Sequence, residues 1–116
     1  MEITRLHTNA DGDSVLDVVP LPMAPEDEQG HLAAIFPTTE VVFCETESDF
    51  TQDWHNAPRR QLVVVLSGCM EIELHGGNRT TLEAGKVLLA EDVGGSGHIT
   101  RAAGGAPLRT AIIPLT

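Results

Sequence analysis

Basic residues are scarce in this chain. Lysine and arginine number 7 against 17 aspartates and glutamates, a net charge of −10 over 116 residues. Such a surface repels phosphate backbones and anionic membranes, which excludes nucleic acid and lipid surfaces as expected partners. The excess of acid reads as solubility. Long apolar stretches are lacking too: no unbroken run is longer than residues 62–66, LVVVL, far short of the ~20 residues of a membrane-spanning helix. The opening MEITRLHTNADGD has no basic region followed by an apolar one, so no secretory signal is expected and the cytoplasm is the expected location. Cysteine is limited to Cys44 and Cys69, both in strand-like runs and neither in a CxxC pair. They are expected to be buried free thiols rather than a disulfide or a zinc or thioredoxin-like site.

Amphipathic helix periodicity is also missing. No extended window carries apolar residues at i, i+3, i+4 and i+7. What the chain has instead is a succession of short Val-, Ile-, Leu- and Thr-rich runs separated by Gly, Pro, Asp and Asn clusters, the pattern of an all-β sandwich or barrel. Strands are predicted over residues 3–7, 15–19, 31–36, 41–45, 61–67, 69–74, 79–82, 87–90, 98–102 and 108–113. Residues 20–30, with three prolines and an acidic cluster, read as surface loop or edge, and 47–53 as polar and irregular. Hydrophobic residues make up 41 %, enough for one modest core, and a single domain over 1–116 is expected. A closed or double-sheet barrel of jelly-roll type leaves few strand edges exposed at this size.

Two stretches carry candidate chemistry. The first, DWHNAPRRQLVVVLSG over 53–68, places Trp54, His55, Arg59, Arg60 and Gln61 just before the strongest strand. On a regular strand Gln61, Val63 and Val65 share a face. His55 and Gln61 are separated by an even number of residues, but Pro58 between them breaks that parity argument. The second, GKVLLAEDVGGSGH over 85–98, runs from a tight turn through a short strand and an acidic pair to a glycine-rich loop ending on His98. There His98, Thr100 and Ala102 would share a face. Each residue has two readings. Trp54 is pocket wall or core. Arg59 and Arg60 clamp a ligand carboxylate or pair with surface acids. Glu91 and Asp92 orient an imidazole or solvate a loop. Residues 93–97 are a lid or an ordinary turn. His7, His31 and His75 read as hydrogen-bonded structural groups.

Together the two stretches resemble the paired signature segments of the cupin superfamily. That pattern has two histidines one residue apart, then a glutamate, then a glycine, and in the second segment a glycine-initiated turn leading to a histidine. His55 matches the first histidine, Gly68 and Gly85 the glycines, and His98 the last histidine. Ala57 stands at the second histidine's place and Gln61 at the glutamate's. The second segment's usual proline is missing, and Lys86 stands where many members carry an acid. The resemblance covers about residues 54–102 and extends to a bacterial group of small single-domain cupins. It implies a cupin-type jelly-roll β-barrel, a homodimer, and a site centred on His55, Gln61 and His98.

In metal-binding cupins three histidines and a carboxylate hold one divalent ion. The implied cofactor is therefore Mn, Fe, Ni or Zn on His55, Gln61 and His98, with a metal-free site as the alternative. An amide brings no charge to offset the ion's. Glu91, Asp92 or His75 would be needed to complete the set. If buried, the Gln61 amide needs partners, and the two imidazoles are the candidates. The expected function is a small-molecule enzyme acting on a compact polar or carboxylated metabolite. His55 and His98 are its catalytic residues, as metal ligands or as acid and base. Trp54, Arg59 and Gln61 are its substrate-binding residues. Isomerase or lyase chemistry is favoured over dioxygenation, which needs a redox metal. The competing expectation is a non-catalytic binding or sensor barrel.

Overall fold

Period-two alternation builds this protein, and it is clearest where two runs meet across a tight turn. In Cys69–Leu74 the residues Met70, Ile72 and Leu74 are buried, while Glu71 and Glu73 face outward. The outward acids meet Arg79 and Arg101 on the two neighbouring strands, with Arg101 Nη1 2.7 Å from Glu73 Oε1. The computed structural model describes residues 1–24, 30 and 32–116. Among them are ten strands: β1 (Glu2–Thr8), β2 (Ser14–Pro20), β3 (Val42–Thr46), β4 (Thr51–His55), β5 (Gln61–Ser67), β6 (Cys69–Leu74), β7 (Arg79–Glu83), β8 (Val87–Ala90), β9 (His98–Ala103) and β10 (Leu108–Pro114). No described helix is long and apolar enough to cross a membrane.

The strands form two sheets. A six-stranded sheet has the order β2-β1-β8-β5-β10-β3, and a four-stranded sheet the order β4-β9-β6-β7. Within them only β1 and β8 pair in parallel. Leu6, Val65 and Ile72 are almost wholly excluded from solvent in the core. Burying each contributes about 1.5–3 kcal/mol. A smaller cluster of Ile3, Leu62 and Leu89 forms separately, with Phe36, Leu21 and Leu115 packed against it. The fold is all-β, as the sequence predicts.

Two predicted spans differ. Residues 32–36 form no strand: among the described residues one backbone bond, from Ala24 N–H to the Ala33 carbonyl, tethers the segment, and Phe36 packs inward while Ile35 is exposed. His31 and the acidic segment over 25–29, which the sequence reads as surface loop or edge, lie outside the described residues. Conversely, the span read as irregular contains most of β4, whose backbone pairs with β9. Its side chains are nearly all exposed, so no buried face marks it in the sequence. Both cysteines are free, but half-buried rather than buried. Cys44 reaches the wall of the cavity described next.

Candidate functional site

Between the two sheets lies a cavity of about 620 Å³, within the usual range for small-molecule sites. The large sheet supplies a mostly apolar wall, with Val63, Leu88 and Ile112 at one level. The small sheet supplies His55, Gln52, His98 and Thr100. His98 and Thr100 share a face, as the alternation of β9 predicts. His55 reaches the cavity by a different route. On β4, Gln52 pairs with Thr100 and His55 with His98, so three steps on β4 oppose two on β9. This bulge turns His55 onto the same face as Gln52, as bulges beside functional sites commonly do.

The bulge also places Trp54, expected to bind substrate. It is absent from the cavity wall and instead stacks on His75, with ring centroids 3.6 Å apart and planes 10° from parallel. The parity that would have put Trp54 beside Gln52 is lost at the bulge.

The two imidazoles meet. Their centroids are 4.3 Å apart with planes tilted by 55°. His55 Nδ1 lies 2.8 Å from the carbonyl oxygen of Asp53. A carbonyl only accepts, so Nδ1 carries the proton and Nε2 keeps its lone pair. Burial pushes the His55 pKa below its ordinary value. The Asp53 bond opposes that shift and the neighbouring His98 adds to it. Close backbone approach fixes the position of His55: a Cβ on Gly97, whose φ is +77°, would lie 2.6 Å from the His55 carbonyl oxygen. No residue with a side chain fits there without displacing the histidine.

His98 is backed by a buried acid. Its Nδ1 lies 2.6 Å from Asp92 Oδ2, and the Ser14 hydroxyl donates to the same oxygen at 2.8 Å. Asp92 is completely excluded from solvent and its Oδ1 has no hydrogen-bond partner among the described residues. The carboxylate fixes the ring with Nδ1 protonated, leaving Nε2 as the atom turned away from it. Of the two readings of the acidic pair, Asp92 therefore takes the orienting one. Glu91 takes neither, as both Arg5 and Arg60 clasp it. Burial alone would raise the Glu91 pKa, but the hydrogen bonds from Arg5 and Arg60 outweigh it and hold it below the ordinary carboxylate value. Ser14, 78 positions from Asp92, carries no signal in the sequence that would associate it with the site.

Arg59 and Gln61 both line the cavity. Arg59 Nη2 is bonded to Glu40 Oε1 at 2.8 Å. No hydrogen bond joins the Gln61 amide to either imidazole among the described residues, so the expected amide–imidazole pairing does not form. His7 bonds Asp17 and His75 bonds the Ser96 carbonyl, in keeping with structural roles. The loop over 93–97 is pinned: Thr8 donates to the Gly94 carbonyl, Asn56 to the Gly95 carbonyl, and Ser96 N–H to the Gly12 carbonyl.

As a divalent-metal site the donor set falls short. His55 and His98 offer one Nε2 each, Gln61 a neutral amide, and Ala57 no side-chain donor at all. Asp92 is engaged behind His98. Among the described residues no group of three or more His, Cys, Asp or Glu side chains is arranged to hold a metal, where three protein ligands or more are usual.

No family model and no curated protein matches the chain. Solved structures do. Protein NMB1881 from Neisseria meningitidis is 16 % identical, with a TM-score of 0.52 over 66 % of this chain and 72 % of that one. The conserved SPY1581 protein of unknown function from Streptococcus pyogenes is 13 % identical, with a TM-score of 0.54 over 72 % and 68 %. At such identities the likeness is one of fold, and the all-β, two-sheet architecture is consistent with the jelly-roll barrel that the sequence leads one to expect.

Proposed function

We propose that this barrel binds a compact polar or carboxylated metabolite in the cytoplasm and moves a proton on it without a metal, chemistry of isomerase or lyase type. The observation that carries this reading is the 2.6 Å contact between the buried Asp92 carboxylate and His98. A buried acid with one oxygen unpaired is costly to maintain. It has a use when the imidazole in front of it accepts or donates a proton at Nε2, because it offsets the charge that the ring acquires. His55 stands beside it, its pKa lowered chiefly by burial. One bare Nε2 takes a proton from a carbon next to a carbonyl, and the protonated ring returns it to that carbon or its neighbour. Gln61 and Arg59 would hold the substrate's oxygens.

The test is hydrogen exchange in D2O on short 2-oxo and 3-oxo carboxylates, followed by NMR. Deuterium should enter the position next to the carbonyl, and His98→Gln and His55→Gln should abolish that entry while ligand binding persists. A second reading, a non-catalytic sensor or carrier, is favoured by the largely apolar wall of Val63, Leu88, Leu108 and Ile112. Binding without exchange across the panel would establish it. Exchange that stops on chelation and returns with Mn, Fe, Ni or Zn would assign the site to a metal instead. The reading includes a homodimer, supported by the exposed apolar residues Phe43 and Leu66 on the outer side of the large sheet.

A further inference from the structure

The charged and imidazole groups of the cavity gather at one end, and the far end is mostly apolar, with Thr46 and Thr110 as its polar residues. Along the large sheet the pairing runs from Gln61 opposite Ala90, to Val63 opposite Leu88 and Ile112, then to Thr110 opposite Cys44, and last to Leu108 opposite Thr46. The imidazoles belong to the Gln61 end. Asp92 lies two positions past Ala90, accepts from His98, and through its carbonyl accepts the Ala57 N–H at 3.1 Å. On β6, Leu74 is opposite His98 while Met70 is opposite Ala102, so Met70 joins Leu108 at the far end. Arg59, two residues before Gln61, lines the polar end as the one Lys or Arg on the cavity wall among the described residues.

Deepening the reading of this cavity as the ligand site, and resting on it, we propose that its ligand is an amphiphilic monocarboxylate. The ligand carboxylate replaces Glu40 on Arg59, and the apolar body runs from the imidazoles toward Met70 and Leu108. The guanidinium offers a planar fork that suits a carboxylate, and Glu40 engages it through Nη2. Both partners of that ion pair are about half exposed, at 51 % and 48 %. Such a pair contributes little to stability, so exchanging one carboxylate for another costs little. Because the molecule as a whole repels anions at −10, capture must be local, and Arg59 is the cation placed to do it. The mostly apolar far end then discriminates by chain length, since each methylene buried against Met70 and Leu108 adds affinity.

The experiment is an NMR titration of the full chain with hexanoate, hexanamide and acetate, using wild type, Arg59→Met, Arg59→Lys and Glu40→Gln. Hexanoate should bind wild type more tightly than either hexanamide or acetate. Arg59→Met should weaken hexanoate by about tenfold or more, Arg59→Lys by less, and Glu40→Gln should tighten it, with hexanamide unchanged throughout. Equal affinities for hexanoate and hexanamide, an unchanged hexanoate affinity in a folded Arg59→Met, or no hexanoate binding at about 10 mM would overturn the proposal. His55→Gln and His98→Gln separate it from the proton-transfer reading. Hexanoate binding retained in both, with no deuterium exchange in wild type, removes proton transfer alone. Exchange on oxo acids with indifference to Arg59 removes the carboxylate proposal alone.

Discussion

His55 couples the charge of the site to the stability of the fold. Burial lowers its folded pKa from 6.5. Above that value both folded and unfolded states hold a neutral ring, and the group adds no pH dependence. As pH falls through 6.5 the unfolded chain takes up a proton that the folded one refuses, so stability drops until the folded pKa is reached. In urea unfolding, the stability of wild type relative to His55→Gln should therefore be constant above about pH 7 and decline as the pH falls below 6.5. A difference that is flat or rises on acidification would contradict the burial of this ring. Asp92→Asn removes the charge behind His98 and one acceptor for Ser14 and His98. It should cost about 1–3 kcal/mol of stability and slow deuterium exchange on the order of 10²-fold or more, with the pH profile of exchange displaced. A stability loss with the profile unmoved would reduce Asp92 to a structural group. At this scale the sequence was informative about type and silent about partnership. His55 and His98 were recognisable as a pair, and Asp92 as one member of an acidic pair with two roles open. Ser14 was beyond reach, because nothing local to residue 14 records an acid that meets it only in the folded barrel.

Strands were legible where burial leaves a pattern in the sequence. β6 coincides with its predicted span because buried Met70, Ile72 and Leu74 alternate with Glu71 and Glu73. β5 and β8 coincide because successive residues such as Leu62–Val63 and Leu88–Leu89 are buried, giving unbroken apolar runs. β4 was obscured because one side of it meets solvent and the other a partly polar cavity. The bulge in β4 had no signature at all, and it decides which of Trp54 and His55 enters the site. Residues 32–36 misled in the opposite sense, being apolar yet without a partner strand among the described residues. The bulge depends on Gly97, where a left-handed backbone lies against His55. Gly97→Ala should destabilise the protein by about 2 kcal/mol or more and weaken ligand binding at the imidazoles, measured by urea unfolding and NMR titration together. Wild-type stability and affinity in that variant would show that the β4–β9 contact relaxes without consequence.

For the molecule as a whole, two sheets enclose a cavity and leave apolar surface outside. Phe43 is 76 % exposed and Leu66 50 %, and alternation puts both on the outer face of the large sheet. In the proposed homodimer this face is covered. Sedimentation should give a dimer for wild type and a monomer for Phe43→Glu, with high salt favouring the dimer by screening the −10 charges. A monomeric wild type at all concentrations would remove that part of the reading. The fold-level resemblance concerns the barrel, and its chemistry rests on two rings delivered by strands from distant parts of the chain. The most direct measurement is therefore the tautomeric state of His55 and His98 in metal-free protein, read from two-bond proton–nitrogen NMR spectra at about pH 8. The structure predicts Nδ1 protonated on both rings and a bare Nε2 on His55 facing the cavity. A proton on Nε2 with a bare Nδ1 on either ring would contradict the account.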